Sequence, residues 1–289
     1  MKLLLRTMKF LLNWACAAAV LSTCLATLVM AAPIDDIHAA LEKGDNATAL
    51  ALVHPLAISG DAQAQSYLGA MYEFGDGVQR DIPEAVKWYR KAVDQGNTFA
   101  QFNLGVLYHK GLGVPQNYAE ALKLYRLAAD KGLALAQGKL GSMYASGEGV
   151  ARNDVEAAKW YRMAADQGDG LIQAALASMY AGGRGVPKNY VEAAKWYRRA
   201  ADAGVPEAQG MLGVMYYKGS GVPQDYVRAH MWFNLCAAQG DPKAVSLRDV
   251  AAKSMTSSQI AEAQKLARDW KPTAKPRSTY LFGPLYGKP

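Results

Sequence analysis

The chain has 289 residues, 51% of them hydrophobic and 20% charged, with a formal net charge of +7. That length can hold two ordinary domains, but the hydrophobic share is spread over Ala, Leu, Val, Tyr and Met rather than gathered in one dense block, which points to internal repetition. The positive excess sits at the two ends, on Lys2, Arg6 and Lys9 and on Lys271, Lys275, Arg277 and Lys288, leaving 25 basic against 25 acidic residues between them; a balanced body argues against a phosphate-tracking surface, so no nucleic-acid partner is expected.

Residues 1–31 have the layout of an export signal: three cations, an apolar run from Phe10 to Met30, and Val29-Met30-Ala31 placing cleavage after Ala31. The run also approaches the roughly 20 residues that span a bilayer, so a retained membrane anchor is the alternative. Either way the positive end stays inside and the rest is exported, to the bacterial periplasm. Cys16 and Cys24 leave with a cleaved signal, and Cys236 alone cannot form an intramolecular disulfide; it reads as a small buried hydrophobe. Residues 32–61 carry the periodicity of a degenerate helix pair, with Ile37 and Leu41 on one helix and Asp45 opening a second striped by Ala49, Leu52, Val53 and Leu56.

From residue 62 to 242 the sequence repeats five times (62–97, 98–133, 134–169, 170–205 and 206–242), aligned on Gly69, Gly105, Gly141, Ala177 and Gly213. Around the small residue recur Ala64-Gln65, Ala100-Gln101, Ala136-Gln137, Ile172-Gln173 and Ala208-Gln209, then Tyr72, Tyr108, Tyr144, Tyr180 and Tyr216, then Gly-x-Gly-Val. Ala64, Leu68, Met71 and Tyr72 share one helical face, which predicts an amphipathic helix A of about three turns. A glycine beside that face costs about 1 kcal/mol relative to alanine, offset where another helix approaches closely, so the copy with Ala177 should pack slightly wider. Asp81 with Glu84, Asn117 with Glu120, Asn153 with Glu156 and Asn189 with Glu192 resemble capping boxes opening a helix B; Asp225 is followed by Arg228 instead, which predicts a weaker start. Ala85, Trp88, Tyr89 and Ala92 stripe helix B, and Gly96, Gly132, Gly168, Gly204 and Gly240 close it. One hairpin cannot bury both stripes, so the copies must stack.

The string Ala-x3-Leu-Gly-x2-Tyr, Gly-x-Gly-Val, Ala-x2-Trp-Tyr-x2-Ala-Ala-x2-Gly, running from Ala62 to Gly240, resembles the Sel-one-like repeat family, relatives of tetratricopeptide repeats with a longer loop between the helices. The resemblance implies an all-α, right-handed superhelical solenoid of antiparallel helix pairs that acts as an adaptor for other proteins. Many cysteine-rich relatives staple each repeat with a disulfide, and their properties are not carried over to a chain with Cys236 alone.

After the array, residues 243–270 read as C-terminal capping helices, one near Pro242 to Lys253 and one begun by Thr256 with Gln259 as a capping box. Residues 271–289 form a Pro-rich, basic and aromatic tail without a helical period, read as flexible and usable as an anchor for a membrane or an acidic partner.

Groups for catalysis are few. His38, His54, His109 and His230 fall at unrelated repeat positions and form no ligand pair, so no metal is expected, and neither a Gly-x-Ser-x-Gly elbow nor a P-loop is present. The Gly-x-Gly loops recur after every helix A and read as turns, and the Asn/Asp and Glu pairs as caps. No catalytic residue and no cofactor follow from this; the alternative to a scaffold is a cell-envelope enzyme or hydrolase acting on peptidoglycan or β-lactam substrates. By analogy with tetratricopeptide repeats, binding positions lie three before and one, four and five after the small residue, on the concave helix A surface. Larger groups stand there at the two ends of the array, and the candidate contacts for a protein or extended peptide are Glu73, Phe74, Phe102, His109, Lys110, Tyr217 and Lys218, with neighbouring Asn103 and Lys139.

Overall fold

The computed structural model describes residues 33–273; the segment read as an export signal, with Cys16 and Cys24, and the tail beyond Thr273 lie outside the described residues. The described residues form fourteen α-helices and no strand, and no helix among them is long and apolar enough to cross a membrane. They divide into two compact units, one ending at Asn97 and the other beginning at Thr98. In the first, α1 (Pro33–Glu42) and α2 (Asn46–Ser59) precede helix A, α3 (Ala62–Phe74), and helix B, α4 (Ile82–Asp94), of repeat one. In the second, repeats two to five are α5 (Thr98–Lys110) with α6 (Tyr118–Asp130), α7 (Ala134–Ser146) with α8 (Asp154–Asp166), α9 (Gly170–Gly182) with α10 (Tyr190–Asp202), and α11 (Pro206–Lys218) with α12 (Tyr226–Ala238). Helices α13 (Pro242–Ala252) and α14 (Ser257–Asp269) follow.

Inside each hairpin the small residue of helix A meets the second aromatic of helix B. A Cβ on Gly69, Gly141 or Gly213 would come within 2.7, 2.5 and 2.7 Å of ring carbons of Tyr89, Tyr161 and Phe233. The glycine thus lets a buried ring lie flat on the helix A backbone, which offsets its low helix propensity. The loop between the helices is closed by one bond in every repeat: the backbone N–H of the helix B cap donates to the carbonyl of the helix A tyrosine, from Asp81 to Tyr72 through Asp225 to Tyr216, at 2.8–3.0 Å.

That bond changes the reading of the Asn/Asp and Glu pairs. Each cap side chain does accept from the backbone N–H three residues on, including Asp225 from Arg228 at 2.9 Å, so repeat five keeps its cap. The glutamates do not complete a box, because the cap N–H they would bond is already given to tyrosine. They turn forward instead, Glu84, Glu156 and Glu192 each lying 2.6 Å from Lys87, Lys159 and Lys195. The full reciprocal box forms at Thr256 and Gln259, ahead of α14.

Between repeats, the recurring glutamine of helix A does the joining. Gln65, Gln137, Gln173 and Gln209 are buried, and each Nε2 donates to a carbonyl eight residues earlier near the end of the preceding helix B: Ala57, Ala129, Ala165 and Ala201, at 3.0–3.3 Å. The second loop glycine makes another junction contact. A Cβ on Gly185 or Gly221 would run into the carbonyl oxygen of Asp154 or Tyr190, at the start of the previous helix B. Arginines of one helix B cover the tryptophan of the next, Arg126 over Trp160 at 4.8 Å and Arg162 over Trp196 at 5.0 Å.

At the carboxyl end the last of these tryptophans, Trp232, is met edge-on by Trp270 at 6.2 Å, and Thr273 N donates to Asp202 O at 2.9 Å, so the chain beyond α14 returns to helix B of repeat four. Cys236 is 1% exposed, and burial together with nearby Asp241 pushes its thiol up to about 11, as befits a packing residue.

Gly168→Ala and Gly185→Ala separate backbone conformation from packing. Both glycines have positive φ, +99° and +67°, but only Gly185 has a backbone neighbour in the way. The first substitution should cost about 1–2 kcal/mol; the second should cost at least about 2 kcal/mol more, as an overpacked junction does. Urea unfolding of the two variants checks the difference. His230, 3% exposed with Nδ1 unbonded, occupies the helix B position held by Val86, Leu122, Ala158 and Ala194 elsewhere. Burial first, then Arg248, lower its pKa against the raising effect of Asp249. The folded chain therefore prefers the neutral ring: stability is whole above the unfolded value of about 6.5 and is lost as the pH falls through it toward the lower folded value. His230→Leu should flatten the fall in Tm between about pH 7 and pH 5; parallel Tm profiles for wild type and variant would show that His230 carries none of it.

Candidate functional site

The helix A positions proposed for contact sort by depth once neighbouring helices are in place. Three residues before the small one, Ser66, Phe102 and Gly138 are buried. Phe102 packs on Tyr125 at 5.7 Å, and a Cβ on Gly138 would come 2.9 Å from Ile172 of the next helix A. Phe102 is thus packed inside its own hairpin and Gly138 against the next repeat, a correction to the analogy that placed Phe102 on the surface. Asn103 is likewise 2% exposed, whereas Lys139, its counterpart in repeat three, is open to solvent.

Four residues after the small one the side chains are half-committed to internal work. Glu73 is buried and accepts from Tyr89 Oη at 2.8 Å, while Arg80 Nε bonds its carbonyl. His109 stands edge-on to Tyr118 at 5.2 Å, with Nε2 3.3 Å from Glu148 of the repeat three loop. Glu148 also bonds the Tyr118 hydroxyl and holds it above its ordinary pKa. Tyr217 repeats the arrangement, edge-on to Tyr226 at 5.4 Å. In both repeats one glutamine ties the pair: Gln116 Nε2 donates to His109 O and Tyr118 Oη, and Gln224 Nε2 to Tyr217 O and Tyr226 Oη, at 2.9–3.0 Å. His109 and Tyr217 are half-buried pillars rather than free side chains.

The serines one residue after the small one serve the same internal need. Burial raises the pKa of the Tyr161 and Tyr197 hydroxyls, and hydrogen bonds with Ser142 and Ser178 counter it. Valine holds the helix A position in the other two copies of the second unit, Val214 facing Phe233, with no hydroxyl, and Val106 in the repeat of Tyr125. Glu148, Gln116 and Gln224 were not singled out by sequence, although the Pro-Gln-Asn-Tyr and Pro-Gln-Asp-Tyr strings at residues 115–118 and 223–226 were there to be matched.

Five residues after the small one, the residue is exposed in every repeat: Phe74 in the first unit, and Lys110, Ser146, Gly182 and Lys218 in the second. In the second unit the exposed and half-buried residues at the four register positions taken for binding are small in the middle, Ser142, Ala145, Ser146, Ala174, Ser178, Ala181 and Gly182, and larger in the flanking repeats, Lys110 on one side and Tyr217 and Lys218 on the other, while Lys139 and Leu171 are exposed at other positions of α7 and α9. The two units also differ in charge: residues 33–97 hold five Lys/Arg against ten Asp/Glu, and residues 98–273 hold 21 against 15. The overall balance conceals an acidic unit and a basic one. Among the described residues no group of three or more His, Cys, Asp or Glu side chains is placed to hold a metal ion.

Comparison with known proteins bears on this geometry. The Sel1 repeat family model matches residues 62–97, 98–133, 134–169, 173–205 and 206–241. A Sel1 repeat protein from Oxalobacter formigenes is 32% identical with a TM-score of 0.69, the alignment covering 83% of this chain and 98% of that one. A protective antigen of uropathogenic Escherichia coli strains, described as having an SLR fold, is 30% identical with a TM-score of 0.54, covering 78% of this chain and 56% of that one. No curated protein matches the sequence. Five matched repeats, stacked helix pairs and a solved relative along nearly its whole length make this chain a member of the Sel1 repeat family, whose solenoids generally serve as protein-interaction scaffolds.

Proposed function

We propose that the protein is an exported, periplasmic scaffold that holds an acidic, extended segment of a partner protein along the helix A row of its second unit. The observation that carries this is the register position five after the small residue. It is exposed in all five repeats and changes chemistry from copy to copy, from Phe74 to Lys110, Ser146, Gly182 and Lys218, while the recurring glutamines, caps and tyrosines are absorbed by the fold. A solenoid presents such positions as a continuous track. The small residues of α7 and α9 leave room for a partner backbone, and Lys110, Lys139 and Lys218, in a unit with an excess of six cations, favour carboxylates on the partner. His109 and Tyr217 shape the track by standing fixed against Tyr118 and Tyr226. Export rests on the layout of residues 1–31.

Replacing Lys110→Glu together with Lys218→Glu should reduce co-purification of partners from an envelope extract at least about tenfold, while stability stays within about 0.5 kcal/mol, as expected of surface positions. Undiminished capture by a double variant with unchanged Tm would remove these lysines from the interface. For export, recovery of a chain shortened by the signal in the osmotic-shock fraction is expected; recovery at full length with the membranes would replace the cleaved signal by an anchor.

A further inference from the structure

The repeat register extends ahead of the first family repeat. Asp45 caps α2 as Asp81 caps α4, and Gln65 bonds Ala57 as Gln137 bonds Ala129. Every residue of α2 therefore has counterparts one repeat length further on. His54 stands where repeats one to four carry Arg90, Arg126, Arg162 and Arg198, and Ala51 stands where they carry Lys87, Lys123, Lys159 and Lys195.

Two of the later junctions show what that arginine does. Arg162 Nη2 donates to Tyr180 Oη at 3.2 Å with its guanidinium 5.8 Å from the ring centroid, and Arg198 Nη2 donates to Tyr216 Oη with its guanidinium 5.5 Å from that ring. Tyr72 follows His54 at the same interval, eighteen residues, that separates each of those pairs. Here the arginine and the lysine stem are replaced by a shorter imidazole and a methyl. What results is an open groove of about 460 Å³, lined by Ala47, Ala51, His54 and Pro55 of α2 and by Tyr72 and Val78.

The groove is held open by its own loop. Asn46 Nδ2 donates to Asp76 Oδ1 at 3.0 Å, and Gly77 lies so close to the Asn46 carbonyl that a Cβ there would come within 2.6 Å of its oxygen, so the loop stays pinned to the start of α2. The unit that carries the groove is acidic overall. Residues 33–61 contain one lysine against five Asp/Glu, and the whole unit five Lys/Arg against ten.

We infer that this groove receives an arginine side chain from an extended segment of a partner protein, which takes in trans the place that Arg162 and Arg198 take in cis. The alanines and Pro55 pack the aliphatic stem, the Tyr72 ring accepts the guanidinium over its face and the hydroxyl accepts its hydrogen bond, in a unit of net negative charge. Lysine is a poorer occupant because it lacks the planar fork that stacks and donates at once. The surface is separate from the helix A row of the second unit and does not depend on the reading given to that row.

The experiment uses the chain from residue 32 to 289 and NMR titration with the peptide acetyl-Gly-Ala-Arg-Ala-Gly-amide, its citrulline analogue and its lysine analogue. Saturable shifts of the Ala47, Ala51 and Tyr72 resonances are expected with the arginine peptide, with the uncharged citrulline analogue weaker by about tenfold or more. His54→Arg restores the residue of the other repeats; it should raise Tm and weaken the peptide by about tenfold or more by filling the groove from within. Tyr72→Phe should weaken the peptide while leaving the groove formed. Equal binding of the arginine and citrulline peptides, undiminished binding to a folded His54→Arg variant, or no saturable shift would each overturn the inference. So would binding that emerges only after residues 274–289 are deleted, because the occupant would then be the chain's own tail.

Discussion

The glutamine amide between neighbouring repeats settles how they sit on one another. Apolar stripes on helices A and B compel the hairpins to stack, but a stripe of alanines and leucines tolerates sliding; a buried amide does not. Gln65, Gln137, Gln173 and Gln209 donate to carbonyls near the end of the preceding helix B, where backbone acceptors lack intrahelical partners. A made hydrogen bond contributes about 1 kcal/mol, whereas a buried polar group left unmade costs about 1–3 kcal/mol. The larger figure penalises a slipped register, so the amide acts mainly on specificity. In repeats one, three and five a second glutamine, Gln95, Gln167 or Gln239, donates to the first one's oxygen at 2.8–2.9 Å and completes its needs. Repeat two has Lys131 at that place, and Gln101 Oε1 is buried without a donor.

With the register fixed, the remaining groups are constrained in turn. The helix A glycine can serve as a bed for the helix B ring only if the hairpin closes at one angle, and the bond from the cap N–H to the tyrosine carbonyl sets that closure. The buried ring then brings a hydroxyl, which a helix A side chain meets in repeats one, three and four. Glu73 does it for Tyr89, Ser142 for Tyr161 and Ser178 for Tyr197, and Phe233 brings none. Variation at those helix A positions is therefore partly compensation inside the hairpin. Surface variation free of such duties is found one helical step further, at Lys110, Ser146, Gly182 and Lys218.

This difference marks what the sequence could and could not reveal. Helices, caps and turns were legible because their causes are local: Asn117 caps α6 through a bond three residues away, and the loop glycines bend the chain at their own positions. The family pattern followed from the same local spacing. The depth of Phe102 and Asn103 was not legible, because it depends on how helix A packs on other helices, as Phe102 does on Tyr125 of its own hairpin and Gly138 on Ile172 of the next repeat. The glutamates of the caps were misread for a related reason. Their expected partner was consumed by a tyrosine carbonyl nine residues earlier in the chain, outside any helix-start motif. The cross-repeat pair of His109 and Glu148 lay beyond periodicity as well, since neither residue recurs in its own column.

Charge is where local and global readings diverge most. Counted over its body the chain is neutral, yet its first unit is acidic and its second basic. At physiological ionic strength electrostatic influence fades over about 8 Å, so a net balance summed over the body cannot cancel these fields where a ligand meets them. A carboxylate-rich segment on the helix A row meets Lys110, Lys139 and Lys218; an arginine beside Tyr72 meets a unit with five Lys/Arg against ten Asp/Glu. Both proposed surfaces use the same device, a position where the repeat pattern lapses. Arginine becomes His54 at one, and the exposed helix A column changes residue at every step of the other. In a fold whose recurring polar groups are tied up in holding repeats together, departure from the repeat is the means left for recognising something else.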